Sequence, residues 1–203
     1  GYAEVGFGNR GSWNMATYIE GSLADDLVAG SLGISKSYKG GERKEDVTGS
    51  KNDEESKSVR ARLLFTPRSD LEIDLVANYS DEAVNAHIEE PLTPDVAIPF
   101  ISPLISNSDI TAAMARSNRD YYSNALSEAG GIDLEVLSTS VTISWSLDHF
   151  QLTSVTGNYD SDILTARDFD GPEFDLLIEN DLSTSTRWTQ EIRLSSLPGG
   201  YLS

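Results

Sequence analysis

The chain has 203 residues, no cysteine, and 33 acidic against 15 basic residues, for a net charge of −18. That balance argues against nucleic acid as a partner, because phosphates are bound by clustered cations, and the missing thiols exclude disulfides and thiolate metal sites. No run of about 18 apolar residues occurs, so no transmembrane helix is encoded.

In chain order, alternating patterns predict strands at about 2–8, 12–23, 27–38, 56–65, 71–79, 135–147, 150–159 and 183–196. Every second strand ends in a tight turn: Ala24 to Asp26, Pro67 to Asp70, Asp148 and His149, and Pro198 to Gly200. At the other end only Asn9 to Gly11 is short, and the remaining connections are long, at 39–55, 81–134 and 160–182. A soluble sandwich has no reason to sort loops by length onto one end. A barrel inserted from the periplasm keeps its translocated ends small and its extracellular loops large.

Side chains on a strand alternate between faces. In the fourth strand Val59, Ala61, Leu63 and Phe65 share one face, opposite Ser58, Arg60 and Arg62. Leu71, Ile73, Leu75, Ala77 and Tyr79 oppose Glu72, Asp74 and Asn78 in the fifth. In the sixth, Leu137, Val141, Ile143, Trp145 and Leu147 oppose serines and a threonine. Charged inner faces are costly in a dry core but cheap around a wet lumen. The seventh strand breaks phase between Leu152 and Val155, which predicts a bulge near Ser154 or a shifted register.

Aromatic residues form two bands, as expected where one end of a ring stays wet. Phe65, Trp145, Phe150 and Tyr201 flank the short turns, while Trp13, Tyr38, Tyr79, Tyr159 and Trp188 lie toward the long loops. Those loops hold 23 of the 33 acidic residues and 7 of the 15 basic ones, so charge collects on one side of the predicted membrane.

Five stretches resemble the early barrel of TonB-dependent receptors: Tyr2 to Asn9, Gly21 to Leu27, Val59 to Leu71, Phe150 to Gly157 and Gln190 to Ser196. The resemblance implies an outer-membrane uptake receptor of a Gram-negative bacterium. Such a receptor captures a scarce nutrient (siderophore-bound iron, cobalamin or an oligosaccharide-like ligand) and imports it with energy relayed by the TonB complex. Its plug, with the TonB box, and its further strands are expected outside this stretch, since the family's barrel has 22 strands. No leader precedes Gly1, so an export signal is expected elsewhere too.

Arg60, Arg62, Glu191 and Arg193 on polar faces are candidate lumen contacts to a plug, with pairing along the wall as the alternative. The acidic groups Asp160, Asp162, Asp168 and Asp170 do not fit a calcium loop. Counting back from Gly171 puts Ala166 at the first ligand position and Leu177 where a glutamate is needed. The proline-broken apolar segment Val96 to Ile105 is expected to pack on a neighbouring loop, and a short helix capped by Ser108 to follow it. His87 and His149 have no companions at metal spacing, and no nucleophile, base and orienting group come together. The expectation is no enzyme, no cofactor, and membrane lipid and a small ligand as partners.

The reading is an all-β, antiparallel up-and-down meander of about eight strands, an open fragment of a transmembrane barrel. Two rivals remain: a closed eight-stranded structural barrel, and a soluble β-sandwich binding module in which Leu63, Leu75 and Ile143 meet across a dry core.

Overall fold

The computed structural model describes residues 1–45, 49–85, 99, 102–117, 123–124, 130–168 and 178–197. Strands are β1 (Tyr2–Phe7), β2 (Trp13–Ala24), β3 (Val28–Lys39), β4 (Lys44–Glu45), β5 (Glu54–Arg68) and β6 (Leu71–Asn85). After helix α1 (Asn107–Ser117) come β7 (Ser123–Asn124), β8 (Gly131–Ser146), β9 (Phe150–Asp168) and β10 (Ile178–Ser196). Eight of them form one open antiparallel sheet in the order β1-β2-β3-β5-β6-β8-β9-β10, and β4 pairs with β7 in parallel.

The register lines up the apolar residues in rows that cross the sheet. Val28, Phe65, Ile73 and Ile143 stand opposite one another; Gly30, Leu63, Leu75 and Val141 form the next row, and Ile34, Val59, Tyr79 and Leu137 lie two rows above that. One row higher on the same face come Lys36, Lys57, Asp81, Glu135 and Asp162. Apolar character therefore ends at one level across four strands, β3, β5, β6 and β8, whereas β9 already carries Asp160 opposite Leu137. From Leu71 to Tyr79 the apolar face of β6 covers nine residues, matching the ~9–11 tilted residues of a membrane strand.

Among the described residues the only buried apolar side chain is Ile110 of α1. Leu63, Leu75 and Ile143 are 43%, 39% and 39% exposed, and the described residues form no second sheet beyond the two-residue pairing of β4 with β7. The sandwich reading is thereby overturned. β1 and β10 are the two ends of the sheet and do not pair with each other, so the closed eight-stranded reading finds no support either.

Several strands run further into the long connections than the sequence predicts. β6 continues to Asn85, β9 to Asp168, and β8 and β10 begin at Gly131 and Ile178. Above the charged row the alternation that marks a strand in sequence lapses, as at Ala83 and Val84 of β6 and at Ile163 and Leu164 of β9, while the backbone ladder continues. At the other end, Pro67 belongs to β5 and the turn reduces to Ser69 and Asp70. The register shift between Phe65 and Arg68 gives the proline, which has no N–H to donate, a place outside the ladder.

Around Ser154 the expected bulge is absent, since β9 keeps an unbroken register with both β8 and β10. Leu152 belongs to the apolar face opposite Trp145, whereas Tyr159 stands opposite Ser138 and Arg187 on the polar face. Tyr159 is therefore not part of the outer aromatic band. What broke the pattern is a polar inset on the apolar face, where the Gln190 amide donates to Ser154 Oγ (3.0 Å) and Thr156 Oγ1 donates to Gln190 Oε1 (2.5 Å).

Ser106, not Ser108, caps α1. Its hydroxyl accepts the Asp109 N–H (3.2 Å), an N-cap bond, and also donates to the Asp109 carboxylate (2.6 Å). Half of Val96 to Ile105, with His87, lies outside the described residues.

Candidate functional site

The polar face of the sheet gathers the candidate residues. Gly33, Arg60, Asn78, Ser138, Tyr159 and Arg187 occupy one row across β3 to β10. Arg60 Nη1 donates to Asn78 Oδ1 at 3.0 Å, and Asn78 Nδ2 donates to Ser138 Oγ at 3.2 Å, a relay over three strands. Arg62 Nε donates to Asp74 Oδ1 at 2.7 Å. On β10, Arg193 pairs with Glu191 two residues away on the same strand.

All four candidates thus share a face, but they do not converge. β5 and β10 are four strands apart, or about 19 Å at ~4.8 Å per strand. Each has a partner within the wall, and Glu191 and Arg193 remain 58% and 66% exposed. Exposed pairs of this kind contribute about 0–1 kcal/mol. Their consequence is to hold a charged face in order without closing it. Asp74, Asn78 and Ser138 were on the polar side of the predicted alternation. Only the register reveals which arginine each serves.

A hollow of about 260 Å³ opens on this face, lined by Tyr18, Glu20, Ser31, Arg62 and Leu64. Tyr18 Oη donates to Glu20 Oε2 at 2.6 Å, and Arg62 keeps to Asp74. The hollow therefore carries a carboxylate and a guanidinium on a wet wall.

At the long-loop end, ion pairs tie neighbouring strands, Lys39 to Glu54 (2.9 Å), Lys36 to Glu55 (2.8 Å) and Lys57 to Asp81 (3.2 Å), and Arg10 of the β1–β2 connection pairs with Glu42 of the connection after β3 (2.6 Å). The Glu54 carboxylate, by hydrogen bonding the Lys39 ammonium, raises the lysine above its usual range. Lys36 acts in the opposite sense on Glu55, holding that carboxyl below its usual range. Above this rim, β4 and β7 join the connection after β3 to the one after β6.

Asp160 and Asp162 stand on the apolar side of β9, and Asp168 is buried at its end, while Asp170 lies outside the described residues. Among the described residues no three His, Asp or Glu side chains are grouped to hold a metal. His149 sits in the turn before β9, where its carbonyl accepts the Leu197 N–H.

The sequence matches no family model and no curated protein. Its fold is similar to that of the ferric yersiniabactin uptake receptor FyuA from Yersinia pestis, with a TM-score of 0.71 and 15% identity over 97% of this chain. The match covers 27% of the receptor, so this chain spans about a quarter of that protein's length. At that identity the likeness is one of fold: an open run of barrel wall.

Proposed function

We propose that this chain is the early part of the barrel of a TonB-dependent outer-membrane uptake receptor. The observation that carries the reading is the division of one open sheet into two exposed faces. One is apolar over a membrane's height, ending at the Lys36, Lys57, Asp81 and Glu135 row. The other is lined with paired charges. Lipid suits the first, and a hydrated lumen suits the second. The fold likeness to a ferric-siderophore receptor supports the same assignment.

In this reading the long connections face outside and meet the ligand. A plug supplied by the rest of the protein fills the lumen and takes energy from the TonB complex. The polar hollow beside Arg62 and Glu20 is the proposed plug contact on this stretch of wall. Arg60 serves mainly to brace the wall through Asn78. Glu191 and Arg193, on the open edge strand, lie where a further strand of the barrel would continue the polar face.

The ligand class is a scarce nutrient too large for passive diffusion, with a ferric siderophore the first candidate. The test is a deletion strain grown on ferric siderophores, cobalamin or oligosaccharides as sole source, with and without a functional TonB complex. Growth restored on one nutrient only when both the gene and TonB are present supports the proposal. Growth on all of them without the gene contradicts it.

A further inference from the structure

On the apolar face, Gly21 of β2 and Gly30 of β3 stand directly opposite each other. Neither contributes a side chain, so a groove of about 460 Å³ opens there, walled by Ile19, Leu23, Leu32, Ala61 and Leu63. For scale, an apolar cavity of about 150 Å³ takes a benzene ring. A methyl group added at Gly30 would come within 2.8 Å of Leu23 Cδ1 and 3.3 Å of Leu63 Cδ2, because Leu23 leans over the gap. At Gly21 it would meet nothing within 4 Å. The floor is ladder backbone whose polar groups are paired between β2 and β3. An apolar occupant therefore strands no donor or acceptor.

Depth identifies what fills it. On the same strands, Lys36 and Lys57 face each other six residues beyond Gly30 and Leu63. Six residues span about 20 Å of strand, which at a tilt of about 40° is about 15 Å of depth, half of the ~30 Å hydrocarbon core. A chain whose headgroup is level with the lysine row thus ends at the groove. We infer that the groove seats the distal end of an acyl chain from an outer-leaflet lipid, held in place rather than exchanging freely along the belt. This rests on the membrane reading given above. Bulk lipid touches the convex wall from one side. Here the chain end is contacted from three sides by Leu23, Leu63 and the glycine backbone, which multiplies its dispersion contacts.

The test uses the whole receptor reconstituted in phosphatidylethanolamine vesicles containing a phosphatidylcholine with a diazirine at the chain end, with cross-links located by peptide mass spectrometry. Label is expected to concentrate on the segments around Leu23 and Leu63. Gly21→Leu, whose Cβ meets nothing within 4 Å and whose side chain would occupy the groove, should lower that share about fourfold, the factor for losing one methylene's worth of apolar contact. Thr139→Leu, on the same face of β8 and two strands from the groove wall, should leave it unchanged. Label spread evenly over the belt, or indifferent to Gly21→Leu, would overturn the groove assignment and leave the membrane reading intact. No label at Leu75 or Ile143 would sink both. A cross-link between two copies through the Gly21 segment would replace lipid with protein as the occupant.

Discussion

Arg62 reaches Asp74 diagonally across the β5–β6 seam, at 2.7 Å, although the residue directly opposite Arg62 is Val76. The guanidinium selects the carboxylate one step along the polar face and spans the seam. Its neighbour Leu63, one residue on, points the other way and is opposite Leu75.

These adjacent positions should respond in opposite manner. Arg62→Ala removes an exposed pair and is expected to cost about 0–1 kcal/mol. Leu63→Arg places a cation on the lipid face near mid-height and is expected to cost about 2–4 kcal/mol. Urea unfolding of the assembled barrel in lipid vesicles measures both, and equal costs would contradict the face assignment.

Asp70 accepts the Trp145 indole N–H at 3.0 Å and pairs with Arg68, whose guanidinium lies 5.8 Å from the Trp145 ring centroid. This cluster fixes the short turn between β5 and β6 against β8. Asp70→Ala should cost about 1 kcal/mol, a typical net hydrogen bond, and should shift Trp145 fluorescence. An unchanged emission spectrum would show that the contact does not set the indole environment.

Acid should loosen the long-loop rim before it affects the belt. Glu55 lies above the apolar rows, and its hydrogen bond with Lys36 lowers its carboxyl pKa. The pairing is therefore fully present above the ordinary glutamate range and is lost as pH falls through the lowered value. Hydrogen-exchange protection in the segments around Glu55 and Lys36, corrected for the intrinsic pH dependence of exchange, should fall only once the pH drops below the ordinary glutamate range, and Glu55→Gln should remove the contribution of this pair.

Ser106→Ala deletes the hydroxyl that caps α1 and should cost the helix about 1 kcal/mol. Faster amide exchange confined to Asn107–Ser117 is the expected signature, with Ser108→Ala having little effect.

The fold was legible because a sheet with one apolar and one polar face imposes a period of two. Val59 to Phe65 and Leu71 to Tyr79 alternate cleanly, and their tight turns set the hairpins. Legibility stopped where that constraint stopped. Beyond Tyr79 the alternation on β6 lapses, with Asp81 and Glu82 adjacent and then Ala83 and Val84, so its last six residues looked like loop. On β9 the polar inset at Ser154 and Thr156 is satisfied by Gln190 from the next strand, a partner that only the register brings near. The four charged candidates share one face of the sheet, but the pairing of Arg62 with Asp74 and of Arg60 with Asn78 depends on cross-strand offsets that one strand's sequence does not contain. The glycine pair behind the groove was equally hidden, since Gly21 and Gly30 meet only across the β2–β3 hairpin.

Because the chain has no cysteine, a single-cysteine series along Leu71–Tyr79, spin-labelled in lipid vesicles, tests the central claim most directly. Collision rates with oxygen, which concentrates in lipid, and with a water-soluble nickel complex should alternate with a period of two. Positions 71, 73, 75, 77 and 79 should favour oxygen, and 72, 74, 76 and 78 the nickel complex. Equal access at odd and even positions, or protection of both from both reagents, would contradict a wall with lipid on one side and water on the other.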